Sequence, residues 1–248
     1  MILSIPPVLR LNGRIQLPAS KSYSIRAFII AARGGVSQIE HASECEDAVI
    51  ALKTARALGS TVSYRAGVCT VKAPESLVIL SEAKDLKMHL DPSALKRGLI
   101  GKSPKVFSVG ESGTTLRFLL PLLASHTQRA KVKGTGTLKA RPNAHLCETL
   151  RRQGMDIRGW GKNESVPIVY NGGVLRGGRV LVDGSLSSQF VSALMIACPS
   201  LDNDSRIVLT GKEMVSQDYI QMTMEILSKA GIVIKRISPR EYVIKGKQ

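Results

Sequence analysis

Aromatic residues and long apolar runs are both scarce in this chain. Phenylalanine, tryptophan and tyrosine make up only 4% of its 248 residues, which disfavours a single-strand nucleic-acid binder that stacks bases on exposed rings. No apolar run approaches the roughly 20 residues that a membrane-spanning helix needs. The N-terminal stretch MILSIPPVLRLNGR also lacks the basic and apolar regions of a signal peptide. We therefore expect a soluble, reduced, cytoplasmic protein.

The four cysteines show no metal-binding pattern. Cys45, Cys69, Cys147 and Cys198 form no CxxC pair, and no histidine stands at metal-ligand spacing from them. Two of them, Cys147 and Cys198, lie inside apolar helical patterns. We interpret them as buried free thiols and expect no metal site.

Familiar catalytic motifs are absent as well. The sequence has no HExxH zinc motif, no GxxxxGK[ST] phosphate loop and no Ser-His-Asp set. The four histidines are isolated, and we interpret His145 as a packed helical side chain rather than a base. Asp47 and Asp183 have no partner that singles them out. The sequence therefore offers no obvious pair of groups for proton transfer.

Positive charge is what the chain has in excess. Its 35 lysines and arginines, set against 19 acidic residues, give a formal net charge of +16. The cations are spread along the chain and are not gathered in a tail. This balance fits phosphorylated or carboxylated ligands, and it also allows attraction to nucleic acid or to a membrane surface.

Three segments share one pattern, in which a short β-type run ends in a small-polar loop that opens directly into an apolar helix. They cover residues 13–32, 105–124 and 178–199. Each loop carries hydroxyls and exposed backbone N–H groups at a helix N-terminus, where the helix dipole favours an anion. Together with the net charge, the three loops predict a site for a small ligand with several anionic groups.

Each of these segments is followed by a similar series of elements. A short strand, a second helix and two further strands come next, and the second helices all close with glycine, at Gly59, Gly154 and Gly231. The chain therefore reads as an α/β fold of three β-α-β-α-β-β repeats around a shared core. The stretch at about 74–102 fits none of the repeats. We interpret it as an insertion, and His89 within it as a surface residue.

The first two loops provide cations and close backbone approach. Arg26 lies four residues after Ser22, so these side chains and that of Lys21 can face the same side of one helix. In the second loop, Gly113 lets the backbone approach a ligand closely. Arg117 follows one turn later.

Polar groups at other helix starts could complete such a site. The third loop offers the neutral donors Ser187, Ser188 and Gln189. Arg141 precedes Pro142, which we expect at the first helical position, so the guanidinium would lie at a helix mouth. Ser216 and Tyr219 open the last helix in a similar way. A hydroxyl at a helix start is also commonly a simple cap, and that alternative stays open for each serine.

At these positions the chain closely resembles the EPSP synthase family, the 3-phosphoshikimate 1-carboxyvinyltransferases. The matching strings occur in the family's order: LPASKSYSIRA, GESGTTLRFL, LKARPNAHL, VDGSLSSQFVSALMIACP and SQDYIQMTMEIL. The resemblance implies transfer of the enolpyruvyl group of phosphoenolpyruvate to the 5-hydroxyl of shikimate 3-phosphate. This reaction passes through a tetrahedral intermediate and releases phosphate, and it uses no metal or organic cofactor.

The resemblance also assigns site residues. For shikimate 3-phosphate it implies Lys21, Ser22, Arg26, Ser187, Ser188, Gln189, Ser216 and Tyr219. For phosphoenolpyruvate it implies Lys21, Gly113, Arg141 and Gln189. Lys21 is the implied catalytic residue.

Two substitutions depart from the family pattern. Ile25 replaces a common asparagine, and we expect it to alter helix packing more than ligand contacts. Glu111 replaces another asparagine in the second loop. A carboxylate there would repel anionic substrates unless a nearby cation paired with it.

Length is the largest departure. Family enzymes have two lobes of three repeats with the active site between them, so residues 1–248 are expected to form the N-terminal lobe, with the second lobe and its acid and base absent. The chain would then be a truncated or split enzyme or an isolated lobe, and a separate C-terminal lobe chain could be its partner. A related enolpyruvyl transferase acting on a UDP-sugar is disfavoured, because its reactive-cysteine loop has no counterpart here. A non-catalytic module that binds anions or nucleic acid is the alternative from a different class.

Overall fold

The structure is a computed structural model that describes residues 13–14, 16–75, 103–213 and 216–248. Nearly all of the insertion expected at about 74–102, including His89, lies outside the described residues. Six α-helices lie within the described ranges: α1 (Lys21–Ala31), α2 (Glu46–Ala57), α3 (Gly113–His126), α4 (Ala144–Arg152), α5 (Ser188–Ala197) and α6 (Gln217–Lys229). None of these helices has the length and apolar character needed to cross a membrane.

The strands of the described residues form three separate sheets. They are β1 (Val36–Glu40), β2 (Thr61–Arg65), β3 (Val68–Lys72), β4 (Lys105–Ser108), β5 (Ala130–Lys133), β6 (Met155–Trp160), β7 (Ser165–Gly173), β8 (Gly178–Asp183), β9 (Ser205–Thr210), β10 (Ile234–Ser238) and β11 (Glu241–Ile244).

Two of the sheets have the same topology. Their strand orders are β4-β5-β7-β6 and β8-β9-β11-β10. In each, the first two strands are parallel and the remaining neighbours are antiparallel. A parallel pair needs a crossover connection, and α3 and α5 provide it. The repeated α/β architecture predicted from the sequence is therefore confirmed.

The first repeat differs from the other two. Its sheet has only three strands, in the order β1-β3-β2, so the β-type run predicted ahead of α1 is wrong for the described residues 16–20. Pro18 lies in this run, and proline has no N–H to donate to a strand ladder. The outer edge of β1 consequently has no strand partner among the described residues.

The first helices of the three repeats form the centre of the fold. In α5 every residue except Gln189 is buried, and α1 and α3 are also largely buried. Helices without a polar face must be enclosed by other elements. The second helices α2, α4 and α6 cover them from outside and bury only one face each. The predicted shared core is the packing of these central helices.

The glycines that close the second helices adopt the conformation expected of them. Gly59, Gly154 and Gly231 have φ values of 108°, 101° and 81°, where a side chain would be strained. At Gly59 and Gly231, the N–H groups of the glycine and of the next residue bond back to the last helical turn. This is the Schellman arrangement, which satisfies the orphan carbonyls at the helix end.

The C-terminal ends of the three central helices meet around one arginine. Arg33 follows α1, and its guanidinium donates to Ser125 of α3 at 3.0 Å and to Ser200 beyond α5. The negative ends of the helix dipoles favour a cation at this place. Burial lowers the pKa of Arg33 to about 10, so it stays charged at neutral pH. Arg33 thus links all three central helices at one end.

His126, at the end of α3, lies close to this arginine. Its Nδ1 is 2.9 Å from the carbonyl oxygen of Leu122, while its Nε2 is buried without a hydrogen-bond partner. Burial lowers the pKa of His126 to about 4, and the charges of Arg33 and Lys105 act in the same direction. The imidazole is therefore neutral in the folded protein at neutral pH.

The depressed pKa of His126 predicts a pH-dependent loss of stability. The unfolded chain takes up this proton near pH 6.5 and the folded chain only near pH 4, so the free energy of unfolding falls as the pH drops between these values. From about pH 7.5 to about pH 5.0, the unmodified chain should lose about 2 kcal/mol more than His126→Gln. Urea unfolding at both pH values measures this difference. His145→Gln, at an exposed histidine, is the control, and equal pH dependence of the two variants would contradict the prediction.

Candidate functional site

The N-terminal ends of the three central helices open into one pocket. Its volume is about 400 Å³. It is lined by Lys21, Ser22, Arg26, Thr114, Leu186, Ser187, Ser188, Gln189, Ser216 and Tyr219. All eight residues that the sequence predicts for shikimate 3-phosphate are in this set. Thr114 and Leu186 are additions that sequence reasoning missed.

Serine caps fix where each central helix begins. The side chain of Ser20 accepts from Tyr23 N at the start of α1, and Ser112 accepts from Thr115 N at the start of α3. Ser187 does the same for Gln189 N at the start of α5. Such caps satisfy one of the free N–H groups at a helix start and leave others available. Ser187 therefore caps its helix and lines the pocket at the same time.

Arg26 is a buried cation at the base of the pocket. The residue is only 1% exposed. Its Nε donates to Thr223 Oγ1 at 2.8 Å, Nη1 to the carbonyl of Ser22 and Nη2 to the carbonyl of Tyr219. The guanidinium also lies over the rings of Phe118 and Tyr219. Burial lowers its pKa to about 10, and no carboxylate of the described residues pairs with it.

A buried charge without an opposite charge is costly to maintain. Around Arg26, neutral oxygens and aromatic faces offset only part of this cost. The Thr223 hydroxyl also donates to Ser192 or to the Tyr219 carbonyl, both at 2.8 Å, which fixes its position beneath the arginine. An anion in the pocket would supply the missing negative charge.

Lys21 stands at the rim of the pocket and is paired with Asp47. Its Nζ lies 3.0 Å from Asp47 Oδ2, in the first turn of α2. The hydrogen bond and charge of Asp47 raise the pKa of Lys21, so the side chain is an ammonium ion at neutral pH. The interpretation that Asp47 has no partner is therefore wrong. Sequence could not show the pair, because packing of α1 on α2 brings the two residues together.

Gln189 is held in a fixed orientation between α3 and α5. Its Nε2 donates to Thr114 Oγ1 at 3.0 Å, and its Oε1 accepts from Arg117 Nη1 at 2.5 Å. Arg117 also lies over the Phe190 ring. Because both ends of the amide are engaged, its donor and acceptor cannot exchange places. Arg117 thereby sets the polarity of a residue that lines the pocket.

Gly113 and Arg141, both predicted for phosphoenolpyruvate, lie together beside the pocket. A Cβ atom added at Gly113 would be 2.9 Å from Arg141 Nη1 and 3.9 Å from Arg117 Nη1. Burial, with the like charge of Arg141, lowers the pKa of Arg117 to about 10. These two guanidinium groups repel each other beside Gly113. An anion bound between them would reduce this repulsion, so this is a second place where an anion is favoured.

The segment that carries Arg141 is not a helix start. α4 begins at Ala144, so the expectation that Pro142 is the first helical residue is wrong. Asn143 is the reason. Its N–H and that of Ala144 donate to the carbonyl of Asn163, and its side-chain amide donates to Glu164. The β6–β7 hairpin thus holds the chain at Asn143, directly before α4 begins.

Glu164 stabilises this hairpin. Its carboxylate accepts two hydrogen bonds from the Arg151 guanidinium, at 2.8 and 2.9 Å, and one from Gly159 N. Burial alone would raise the pKa of Glu164, but these hydrogen bonds outweigh it and hold the pKa below its usual value. Arg117 in turn bonds to Asn143 and to the Pro142 carbonyl, both at 3.3 Å. One chain of contacts therefore runs from Glu164 to Gln189.

The carboxylate of Glu111 is engaged away from the pocket. Its Oε2 accepts from Thr137 N at 3.0 Å and from Thr137 Oγ1 at 3.3 Å. Thr137 is the second residue of the short 3-10 turn Gly136–Lys139, so the carboxylate caps this turn. The sequence raised repulsion of anionic substrates as a concern at Glu111. Backbone and hydroxyl donors, rather than a cation, occupy the carboxylate.

The structure also shows the surroundings of the cysteines and of His145. Cys69, Cys147 and Cys198 are buried free thiols, as expected for the last two, and Cys45 is an exposed free thiol. His145 is exposed on α4, so its interpretation as a packed side chain is wrong. Within the described ranges, no group of three or more histidine, cysteine or acidic residues could hold a metal ion.

Comparison with known proteins gives this chain a family. Residues 5–99 and 76–248 match the model of EPSP synthase (3-phosphoshikimate 1-carboxyvinyltransferase). A 3-phosphoshikimate 1-carboxyvinyltransferase of Edwardsiella ictaluri is 30% identical over 247 residues, which is 99% of this chain and 53% of the relative. One from Methanosarcina mazei is 31% identical over 240 residues, 96% of this chain and 50% of the relative. The chain spans about half the length of the curated relatives it matches.

Solved structures agree on the fold. An EPSP synthase from Acinetobacter baumannii superposes with a TM-score of 0.71 at 21% identity, covering 95% of this chain and 47% of the other. The enolpyruvyl transferase NikO from Streptomyces tendae gives 0.60 at 20% identity, covering 96% and 49%. At this level of identity the likeness concerns the fold alone.

The contacts of Arg117 predict its contribution to stability. In Arg117→Leu, the acceptors on Gln189, Asn143 and Pro142 lose their charged donor, so the free energy of unfolding should fall by about 2 kcal/mol. Urea unfolding measures the change. Arg179→Leu removes an exposed arginine whose side chain has no such contact with the described residues, and it should change stability by less than about 0.5 kcal/mol. An equally small effect of both substitutions would show that Arg117 does not hold the site together.

Proposed function

Because the chain belongs to the EPSP synthase (3-phosphoshikimate 1-carboxyvinyltransferase) family, we propose that it binds shikimate 3-phosphate and phosphoenolpyruvate for enolpyruvyl transfer. The products would be 5-enolpyruvylshikimate 3-phosphate and inorganic phosphate, a step towards chorismate and the aromatic amino acids. Such a biosynthetic step on small polar metabolites would take place in the cytoplasm.

The observation that carries the proposal is the unpaired charge of Arg26. Arg26 is 1% exposed as a residue, and it lines a pocket of about 400 Å³. Its guanidinium has no carboxylate partner among the described residues. Shikimate 3-phosphate brings a phosphate and a carboxylate, either of which would pair with this cation. The ammonium of Lys21 at the rim would take part in binding the other anionic groups.

Neutral donors around the pocket suit the rest of this ligand. Ser22, Ser188, Ser216 and the phenol of Tyr219 line it together with Gln189. Sugar-like hydroxyls and phosphate oxygens are both recognised by such groups. The free N–H groups at the starts of α1 and α5 would add further donors for an anion. We propose that these residues, with Ser187, Lys21 and Arg26, hold shikimate 3-phosphate.

Phosphoenolpyruvate would take the neighbouring place. Arg141 and Arg117 both lie close to Gly113, and Gln189, which lines the first pocket, accepts a hydrogen bond from Arg117. A phosphorylated carboxylate there would relieve the repulsion between the two guanidinium groups. Its reactive carbon would then lie beside the hydroxyl of the first substrate.

The transfer itself needs proton movements. The 5-hydroxyl oxygen bonds to C2 of phosphoenolpyruvate and loses its proton while C3 gains one. Loss of phosphate and of a proton from C3 then restores the double bond. Among the described residues, no carboxylate or imidazole lines the pocket. Lys21, whose ammonium group is paired with Asp47, would stabilise negative charge. Because Asp47 raises the pKa of Lys21, which makes it a weaker proton donor, the proton transfers would require groups supplied by further polypeptide.

We therefore propose that residues 1–248 act as one lobe of a two-lobed enzyme. The match to about half the length of the curated relatives supports this organisation. The second lobe could come from a separate chain that closes over the pocket. Two experiments test the binding role and the need for the second lobe separately.

Substrate binding is tested by calorimetry with shikimate 3-phosphate. The chain alone should bind it weakly, and Lys21→Met should weaken the affinity roughly tenfold by removing one charge-assisted contact. Lys53→Met, at an exposed lysine of α2, is the matched control and should bind like the unmodified chain. Because Arg26 is buried, Arg26→Gln requires a circular-dichroism check of folding first, and we expect at least a hundredfold loss of affinity. Unchanged affinity in a folded Arg26→Gln would overturn the assignment.

Turnover is tested by phosphate release from the two substrates. With the 248-residue chain alone we expect no sustained release above the rate without protein, because the pocket lacks the groups for both proton transfers. Linear release proportional to protein concentration, and lost in Lys21→Met, would show instead that these residues suffice. The calorimetric result is independent of this outcome.

A further inference from the structure

A second concave surface lies at the tip of the β6–β7 hairpin, and we name it the Trp160 groove. Its volume is about 640 Å³, a size that suits a small-molecule ligand. It is lined by Lys131, Lys133, Gly134, Lys139, Trp160, Val166 and Pro167. None of these residues lines the pocket proposed for shikimate 3-phosphate. The described lining is entirely cationic, apolar or glycine.

Trp160 is exposed at the tip of a hairpin whose backbone is well held. The side chain is 72% exposed, although a large apolar surface is normally buried when nothing covers it. Its backbone pairs with Ser165 across the hairpin. The Glu164 carboxylate ties Gly159 to Arg151 just before it. No cation of the described residues lies over the indole, so its face is free for stacking, while the hairpin holds the backbone that carries it.

Three lysines line the Trp160 groove together with the indole. Lys131 and Lys133 project from β5, and Lys139 ends the 3-10 turn Gly136–Lys139. None of the three has an ion-pair or hydrogen-bond partner within the described part of the chain. Glu111 contacts the same turn through Thr137 and forms no ion pair with these lysines. Like charges placed together favour a ligand with two or more negative charges.

These features together indicate one ligand chemistry. Base–aromatic stacking accepts any planar base, while lysines hold phosphate oxygens as point charges. We propose that the Trp160 groove binds a nucleoside 5′-phosphate, with the base on the indole and the phosphate among Lys131, Lys133 and Lys139. The source is either a free mononucleotide or the 5′-phosphorylated end of a single-stranded nucleic acid. This site is separate from the proposed transferase function and does not depend on it.

The test uses equilibrium dialysis with radiolabelled AMP, and Trp160 fluorescence as a second readout. Trp160 is the only tryptophan of the chain, so quenching reports on this groove alone. We expect saturable AMP binding with matching quenching, and no quenching by inorganic phosphate. Trp160→Ala should weaken binding in dialysis by at least roughly fivefold, as loss of one stacked base predicts.

Charge variants separate the groove from the general basicity of the chain. Lys133→Gln should weaken AMP binding roughly fivefold. Lys235→Gln, at an exposed lysine on β10 in another sheet, is the control and should leave it unchanged. The three side chains replaced in these variants, Trp160, Lys133 and Lys235, are solvent-exposed, so the variants should fold. Equal weakening by both lysine substitutions, or unsaturable binding, would overturn the proposal.

A 5′-phosphorylated oligonucleotide distinguishes the two sources. If it binds at least roughly tenfold more tightly than AMP, with affinity falling by about 0.7 log units per contacted phosphate for each log unit of salt, the ligand is nucleic acid. Equal or weaker binding than AMP assigns the groove to free mononucleotides. Failure of both to bind overturns the proposal, whatever the outcome with shikimate 3-phosphate.

Discussion

The common direction of the three central helices is the constraint on which the rest of the molecule depends. Their N-terminal ends line one pocket, and their C-terminal ends meet around Arg33. Each helix contributes roughly half a positive charge at one end and half a negative charge at the other. Three aligned helices therefore polarise the lobe along one axis. Arg33 supplies a cation at the negative end. At the positive end, none of the described residues that line the pocket carries a carboxylate, so this place is left for an anionic ligand.

Much of this arrangement could be predicted from the sequence, because it rests on local patterns. Apolar runs that start at a serine and a small-polar loop define α1, α3 and α5, and the closing glycines define the second helices. The run before α1 shows where the local pattern failed. It resembles a strand, but Pro18 has no backbone N–H to donate to a strand partner. The convergence of the eight pocket residues followed from the family resemblance rather than from spacing.

Contacts between segments that are far apart in the chain could not be predicted from the sequence. Asp47 meets Lys21, and Thr223 meets Arg26, only because helices that are far apart in the chain pack side by side. The β6–β7 hairpin holds Asn143, and through it Arg117 and Gln189, by hydrogen bonds to backbone carbonyls that no residue pattern reveals. Glu111 looked like a source of repulsion because its partner, Thr137, lies 26 residues away. In each case tertiary packing decided what a charged side chain does.

The incomplete sheet of the first repeat has a consequence for how the chain can associate with other molecules. In the other two repeats, the first strand pairs in parallel with the next one, β4 with β5 and β8 with β9. In the first repeat, the outer edge of β1 has backbone N–H and C=O groups that no described strand satisfies. Val36 at the start of this edge is 64% exposed, and an open edge of this kind is a template for adding a strand from another molecule. This short edge is therefore the place in the first repeat where a strand of another molecule could add, and the net charge of +16 opposes such association between copies of the chain.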